Sequence, residues 1–142
     1  FNTYGPRMRA DDIYGRVVPR FITQCLTEAP ITVFGDGTQT RSFTYITDQL
    51  RGILLLGALD EIDGCVVNIG NNREIQIIEL AGIIKEITGS ESPIEYHPLP
   101  EDDPRRRCPD ITRAGELLIW EPEVDLEEGL SYTIEWFKKH VV

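Results

Sequence analysis

The chain has 142 residues, 41% of them hydrophobic, and a formal net charge of −10. That length and composition suit one soluble globular domain with a real core. The acidic balance argues against nucleic acid as a partner, and no apolar run approaches the roughly 18 residues that cross a bilayer, so a cytoplasmic setting is expected.

Phe1 to Tyr4 reads as the end of a strand, stopped by Gly5-Pro6. The opening carries no methionine and no apolar stretch with a basic flank, so no secretory signal is visible. The chain is expected to be a processed product, an expressed portion or a piece of something longer. Arg7 to Gly15 is polar and reads as a loop. Val17 to Leu26 places Val18, Phe21, Ile22 and Cys25 at helical spacing, and Pro30 ends that helix. Ile31 to Phe34 is a strand running into a Gly-Asp-Gly turn, and the chain re-emerges as an extended segment opening with Arg41. The two glycines allow a tight reversal, so a hairpin is expected that sets Arg41 beside Phe34.

Ser42 to Ile46 is extended, and Thr47 is a candidate N-cap for a helix from Asp48 to about Leu59. Cys65 to Ile69 is an almost continuous apolar run, consistent with a buried strand, and Gly70-Asn71-Asn72 is a turn. Ile77 to Ile87 is an amphipathic helix with Gly89 as C-cap. A short strand at Ile94 to Tyr96 precedes a proline- and charge-rich loop from Pro98 to Pro109. Helices are expected at Thr112 to Leu118 and Leu126 to Lys139, separated by Trp120-Glu121-Pro122.

Several chemistries leave no mark on the chain. Cys25, Cys65 and Cys108 are odd in number and far apart, which argues against disulfides and against zinc ligation, and no metal site is expected. His97 reads as a strand-end residue and His140 as a cation complementing a last helical turn. No glycine-rich dinucleotide fingerprint is present, and none of the five tyrosines has a lysine four residues later. What remains is an aromatic face at Phe34, suited to a ring, and the fork of Arg41, suited to a phosphate. A surface arginine on a plain turn is the alternative for that pair taken alone.

Four runs stand in order: Phe1-Asn2-Thr3-Tyr4-Gly5-Pro6-Arg7-Met8; Gly35-Asp36-Gly37-Thr38-Gln39-Thr40-Arg41 followed by Tyr45-Ile46-Thr47-Asp48; Asn68-Ile69-Gly70; and Asp102-Asp103-Pro104 leading through Arg107 to Pro109-Asp110-Ile111. The series, with Trp120-Glu121-Pro122 behind it, resembles the C-terminal half of the extended short-chain dehydrogenase/reductases, the NAD-dependent epimerase/dehydratase family. The resemblance covers essentially the whole chain, and the last run points to its UDP-glucuronate decarboxylase branch. It implies an α/β fold: the nucleotide-sugar-binding C-terminal lobe of a Rossmann-type enzyme over residues 1–142, with residues 1–6 ending a Rossmann-sheet strand. The NAD-binding half, with the family's Tyr-x-x-x-Lys pair, should precede Phe1. No catalytic residue is therefore expected within these residues, and the cofactor implied is NAD.

The resemblance also assigns roles. Thr3 and Arg16 match positions near the cofactor. Asn2 matches a substrate contact, with an Asn that caps the Gly-Pro turn as the alternative. Thr32, Val33 and Phe34 match the segment that flanks a uracil or thymine base, where backbone groups can read the base edge. Arg41 and Arg107 match diphosphate ligands, and Asn68 a polar group aimed at the cleft. The Arg105–Arg107 run has two other readings, a solvated cluster or a structural pairing with Asp102 and Asp103. The function implied is decarboxylation of UDP-glucuronate to UDP-xylose through a 4-keto intermediate by a homodimeric parent. A dTDP-glucose 4,6-dehydratase, a UDP-glucose 4-epimerase, a non-catalytic nucleotide-sugar-binding module and a purely structural domain stay open. An apolar face normally packed on the missing half should also be exposed.

Overall fold

A computed structural model describes residues 1–9, 16–60, 64–101 and 103–141. The elements in chain order are β1 (Thr3–Tyr4), α1 (Val17–Leu26), β2 (Ile31–Phe34), β3 (Thr40–Ser42), β4 (Thr44–Tyr45), α2 (Ile46–Ala58), β5 (Glu74–Gln76), α3 (Ile77–Thr88), β6 (Ile94–His97), β7 (Arg106–Arg107), α4 (Thr112–Leu118) and α5 (Leu126–His140). The chain is α/β, and its described residues form three short sheets: β1 beside β4, β2 beside β6, and β3 between β5 and β7.

The main core forms where α1, α3 and α5 close over β2. Phe21 and Ile22 of α1, Ile31 and Val33 of β2, Leu80 and Ile84 of α3, and Leu130 and Phe137 of α5 are all completely buried. Each such side chain contributes about 1.5–3 kcal/mol over its exposed state. The helical spacing of Val18, Phe21, Ile22 and Cys25 puts all four on the core side of α1, as expected. Pro19 sits in the first turn, where a missing N–H costs nothing. Gly89 ends α3 in the left-handed conformation (φ 70°), and Glu79 reaches back to accept the Gln76 N–H at 3.0 Å. A second, smaller core gathers Ile69, Ala114, Leu118 and Trp120.

Four expectations are corrected. Ile31–Phe34 and the Arg41 segment do not form a hairpin. β2 pairs in parallel with β6, while β3 pairs antiparallel with β5 and parallel with β7. Gly35 (φ 66°) and Gly37 (φ 77°) do turn the chain, and the Asp36 carboxylate accepts the Thr38 N–H at 3.0 Å. The turn sends the chain into a different sheet, because a strand's partner is chosen by long-range packing. Second, Cys65 to Ile69 is not a strand. Val66 is 74% exposed and Ile69 alone of the run is buried. The segment is held from outside the sheets, through Arg113 donating to the Val66 carbonyl at 2.7 Å. Third, α2 begins at Ile46, one residue before Thr47, and Tyr45 occupies the N-cap position. Fourth, the loop from Pro98 to Pro109 contains β7. Asp102 and most of the loop from Arg7 to Gly15 lie outside the described residues.

The Gly35–Gly37 turn yields a stability prediction. A Cβ on Gly37 would lie 2.9 Å from the Ile78 Cβ and 3.0 Å from the Val33 Cγ1, at a left-handed backbone. Gly37→Ala is expected to cost about 2 kcal/mol. Urea titration measures this, and a loss below about 0.5 kcal/mol would contradict it.

The outer face of α2 is apolar. Leu50, Ile53 and Leu54 follow one another along one side of the helix and are 50%, 51% and 72% exposed. No described helix is long and apolar enough to cross a membrane.

Candidate functional site

A cavity of about 670 Å³ opens between the end of β1, the first turns of α1, the C-terminal end of β2, β3, and the segment that leads into β7. It collects its side chains from all of these, and they fall into two ends of different chemistry.

The first end is built on Phe34, the last residue of β2, which is neither buried nor fully exposed. The Arg20 guanidinium carbon stands 4.8 Å from the centre of the Phe34 ring. His97, opposite Phe34 in register, meets the ring edge-on at 6.1 Å between centroids. Gln39 donates to the Phe34 carbonyl at 2.8 Å and fixes the strand end. This gives a ring-sized flat surface with a cation upon it.

The second end is built on arginines of adjacent strands. Arg41 of β3 is directly opposite Arg107 of β7 in the parallel register, and both line the cavity. Neighbouring strands run ~4.8 Å apart, so two guanidinium stems leave the sheet close together on one side. Successive strand residues face opposite ways. Arg106 accordingly goes to the other face, where its Nη2 is 2.6 Å from Glu74. Hydrogen bonds from Arg106 and then Thr40 hold the Glu74 carboxyl below the usual range. The arginine run is thus divided by strand alternation: Arg106 is structural and Arg107 turns to the cavity. Arg41 is 7% exposed, donates to the Thr40 carbonyl at 2.7 Å and to Asp103 at 2.5 Å. The pairing expected between Asp103 and the Arg105–Arg107 run is made with Arg41 instead.

Asn2, Thr3 and Arg16 line the side of the same cavity. Asn2 has a left-handed backbone (φ 43°), and its side-chain amide donates to the Ser42 carbonyl at 2.9 Å. It therefore ties β1 to β3 and does not cap the Gly-Pro turn. Thr3 donates to the Gln49 side chain at 3.3 Å, and Arg16 donates one N–H to the Thr3 carbonyl at 3.2 Å. Tyr4 also reaches the cavity wall, but its hydroxyl donates to the Leu126 carbonyl and burial pushes its pKa up, so it stays neutral.

Three expected residues bring no side chain to the cavity. The Val33 side chain is completely buried in the core, which leaves only its backbone groups for the base edge expected there. The Thr32 hydroxyl accepts from Gln24, its N–H donates to the Gln24 side-chain oxygen, and its carbonyl accepts from Arg20, so its backbone groups are engaged within the protein. Asn68 donates to the Asp110 carbonyl at 3.0 Å, anchoring the start of α4, and does not line the cavity. The sequence reading also passed over Arg20, Gln39 and Asp103 as cavity residues. Arg20 had a signal, since it follows Arg16 by one helical turn. Gln39 and Asp103 had none, because the strand partners that bring them in are remote in sequence.

An aromatic surface at one end and register-paired arginines at the other give this α/β protein a cavity whose lining suits a ring-bearing anion. Comparisons with known proteins narrow that class. Residues 1–70 match the NAD dependent epimerase/dehydratase family. The chain is 45% identical to UDP-glucuronic acid decarboxylase 2 of Arabidopsis thaliana over 141 residues, 99% of this chain and 31% of that protein. It is equally similar, 45% over 141 residues, to UDP-glucuronic acid decarboxylase 1 of Xenopus tropicalis, covering 99% of this chain and 32% of that one. Among solved structures it superimposes on a UDP-glucose 4-epimerase of Thermotoga maritima with a TM-score of 0.93 at 38% identity, over 99% of this chain and 45% of that one. A UDP-glucuronic acid 4-epimerase of Bacillus cereus gives 0.90 at 35% identity, over 98% and 43%. The chain spans about a third of the length of these curated relatives. It belongs to the NAD-dependent epimerase/dehydratase family.

Proposed function

We propose that this chain is the nucleotide-sugar-binding part of an NAD-dependent enzyme that converts UDP-glucuronate to UDP-xylose. The observation that carries the reading is the convergence of Phe34, Arg41 and Arg107 on one cavity. The 45% identity to UDP-glucuronic acid decarboxylases supports it across 99% of the chain. In this reading the base lies at the Phe34 end and the diphosphate accepts from Arg41 and Arg107. A guanidinium fork matches two phosphate oxygens at once, which fixes orientation as well as affinity. Asn2 then faces the sugar.

NAD, when bound, supplies oxidation at the C4 hydroxyl of the sugar, which makes the acid a β-keto acid that loses carbon dioxide, and afterwards reduces the product. This chain's residues fit a dinucleotide on one side only. Arg16 is exposed and spends one N–H on the Thr3 carbonyl, leaving other donors for an anionic cofactor beside Thr3. The proton acceptor is not Tyr4, whose buried neutral phenol is committed to Leu126. The task of these residues is positioning: gripping both ends of the nucleotide holds the sugar in reacting geometry. A cytoplasmic homodimer is part of the same proposal.

A second reading, sugar 4-epimerisation, is favoured by the likeness to two solved 4-epimerases. Proton NMR of the intact protein with NAD decides between them, using UDP-glucuronate, UDP-glucose and dTDP-glucose in separate tubes. UDP-xylose or a 4-keto pentose from UDP-glucuronate is the expected result. UDP-galacturonate or UDP-galactose instead would establish the epimerase, and a 4-keto-6-deoxy sugar from dTDP-glucose a dehydratase.

A further inference from the structure

We propose that Asp103 is a built-in counter-ion that holds the Arg41 fork in place of a phosphate and is exchanged for the ligand's diphosphate on binding. The inference rests on the nucleotide-sugar reading above and adds to it a competitor carried by the chain itself.

Asp103, Arg41 and Arg107 all line the cavity. The Arg41 Nη2 donates to the Asp103 Oδ1 at 2.5 Å, and its Nη1 donates to the Thr40 carbonyl at 2.7 Å. Both terminal nitrogens of the fork are therefore engaged, and a ligand oxygen approaching Nη2 meets a carboxylate already there. The pair is lopsided: the Arg41 side chain is 9% exposed and that of Asp103 32%. A guanidinium so far from water is costly without an anion, so a carboxylate from the chain stabilises it. The Asp103 carboxylate can return to water at little cost. Arg41 thus stays, and Asp103 is the member that leaves. The backbone permits this. The Asp103 N–H reaches the Pro100 carbonyl only at 3.4 Å, whereas the pairing with β3 begins two residues later, where the Arg105 carbonyl accepts the Thr40 N–H at 2.9 Å. Asp103 can therefore swing out while Arg107 keeps its register opposite Arg41.

A guanidinium has more N–H groups than these two contacts use, so donor count does not force the exchange. Charge does. Arg41 and Arg107 are the register-paired cations of this end, and the diphosphate of a nucleotide sugar brings as many negative charges as they supply. Asp103, if it stayed, would be a further anion in contact range of the phosphate oxygens, in a site partly removed from water, where like charges repel strongly. The ligand's phosphate therefore replaces Asp103, and the free energy of the Asp103–Arg41 contact is subtracted from the affinity.

The test is calorimetric titration of the intact protein with UDP, for wild type, Asp103→Asn and Asp103→Ala, and for Arg41→Met with and without Asp103→Asn. Asp103→Asn keeps the shape and loses the charge, and it should tighten UDP about fivefold. Asp103→Ala should do the same. In the Arg41→Met background Asp103→Asn should change the affinity by less than about twofold, because the contact under competition is gone. Melting curves report folding; should one Asp103 variant unfold, the other decides. UDP bound equally or more weakly by the folded Asp103 variants overturns the inference, since Asp103 would then be a prop for Arg41 or a ligand contact. A gain that persists undiminished with Arg41→Met also overturns it, since that would be plain repulsion between Asp103 and the ligand. If neither wild type nor the Asp103 variants bind UDP, the nucleotide-sugar reading itself falls, and this inference with it.

Discussion

Arg41→Met is expected to weaken UDP binding by about 10- to 100-fold while leaving the protein nearly as stable as before. Arg41 is 7% exposed, it stands in the central strand of its sheet, and its carboxylate partner Asp103 has a side chain that is 32% exposed. When the guanidinium is removed, Asp103 can return to water, so the lost ion pair costs the fold little. The ligand has no such recourse: a diphosphate that loses one of two fork-shaped donors must leave charged oxygens without partners. Calorimetry with UDP and a parallel melting curve separate the two effects. Binding within twofold of wild type would remove Arg41 from the site. A large fall in melting temperature would make Arg41 a structural residue first. Arg41→Lys should recover part of the affinity and little of the geometry, because a point charge cannot hold two phosphate oxygens in one plane.

Asp48→Ala should cost roughly 3 kcal/mol of stability, about 8 °C in melting temperature for a chain of this size. Asp48 is 2% exposed in the second half-turn of α2. One of its carboxylate oxygens accepts the N–H groups of Glu123 and Val124, each at 3.0 Å, and the other lies 3.2 Å from Arg51. Its backbone carbonyl accepts from the Trp120 indole at 3.1 Å. Asp48 thus joins α2 to the segment between α4 and α5, more than 70 positions away in the chain. Removing the side chain orphans two backbone donors and leaves Arg51 with one carboxylate, Glu123. Asn at this position keeps one acceptor and should recover part of the loss. Chemical denaturation followed by Trp120 fluorescence measures the change; a loss under about 1 kcal/mol would mean that water replaces the carboxylate. Arg51→Met should cost less, because its side chain is 34% exposed.

The helices were legible because each states its own periodicity. The spacing of Val18, Phe21, Ile22 and Cys25 is enough to fix both the existence and the buried side of α1. Gly89 ends α3 by a conformation few other residues adopt without strain. The strands were less legible because two to four residues carry too little pattern. Glu74–Gln76 and Arg106–Arg107 become strands only because β3 lies between them. Cys65 to Ile69 has the composition of a strand and, among the described residues, no strand beside it to pair with.

The candidate site divides in the same way. Asn2, Phe34, Arg41 and Arg107 could be named from motif order, and all four line the cavity. The same order also named Val33 and Asn68, whose side chains lie elsewhere: adjacent residues of one strand face opposite sides, which buries the Val33 side chain, and Asn68, outside the strands, turns to the Asp110 carbonyl. By itself the sequence determined the chemical inventory, the helical scaffold and the family, because these reside in residue identity and local spacing. The tertiary structure alone decided which arginine meets Glu74 and which the cavity, that Arg20 lies on Phe34, and that Asp103 holds Arg41. Each of those depends on strand register and helix docking between segments distant in the chain, where a shift of one residue would turn every side chain to the other face.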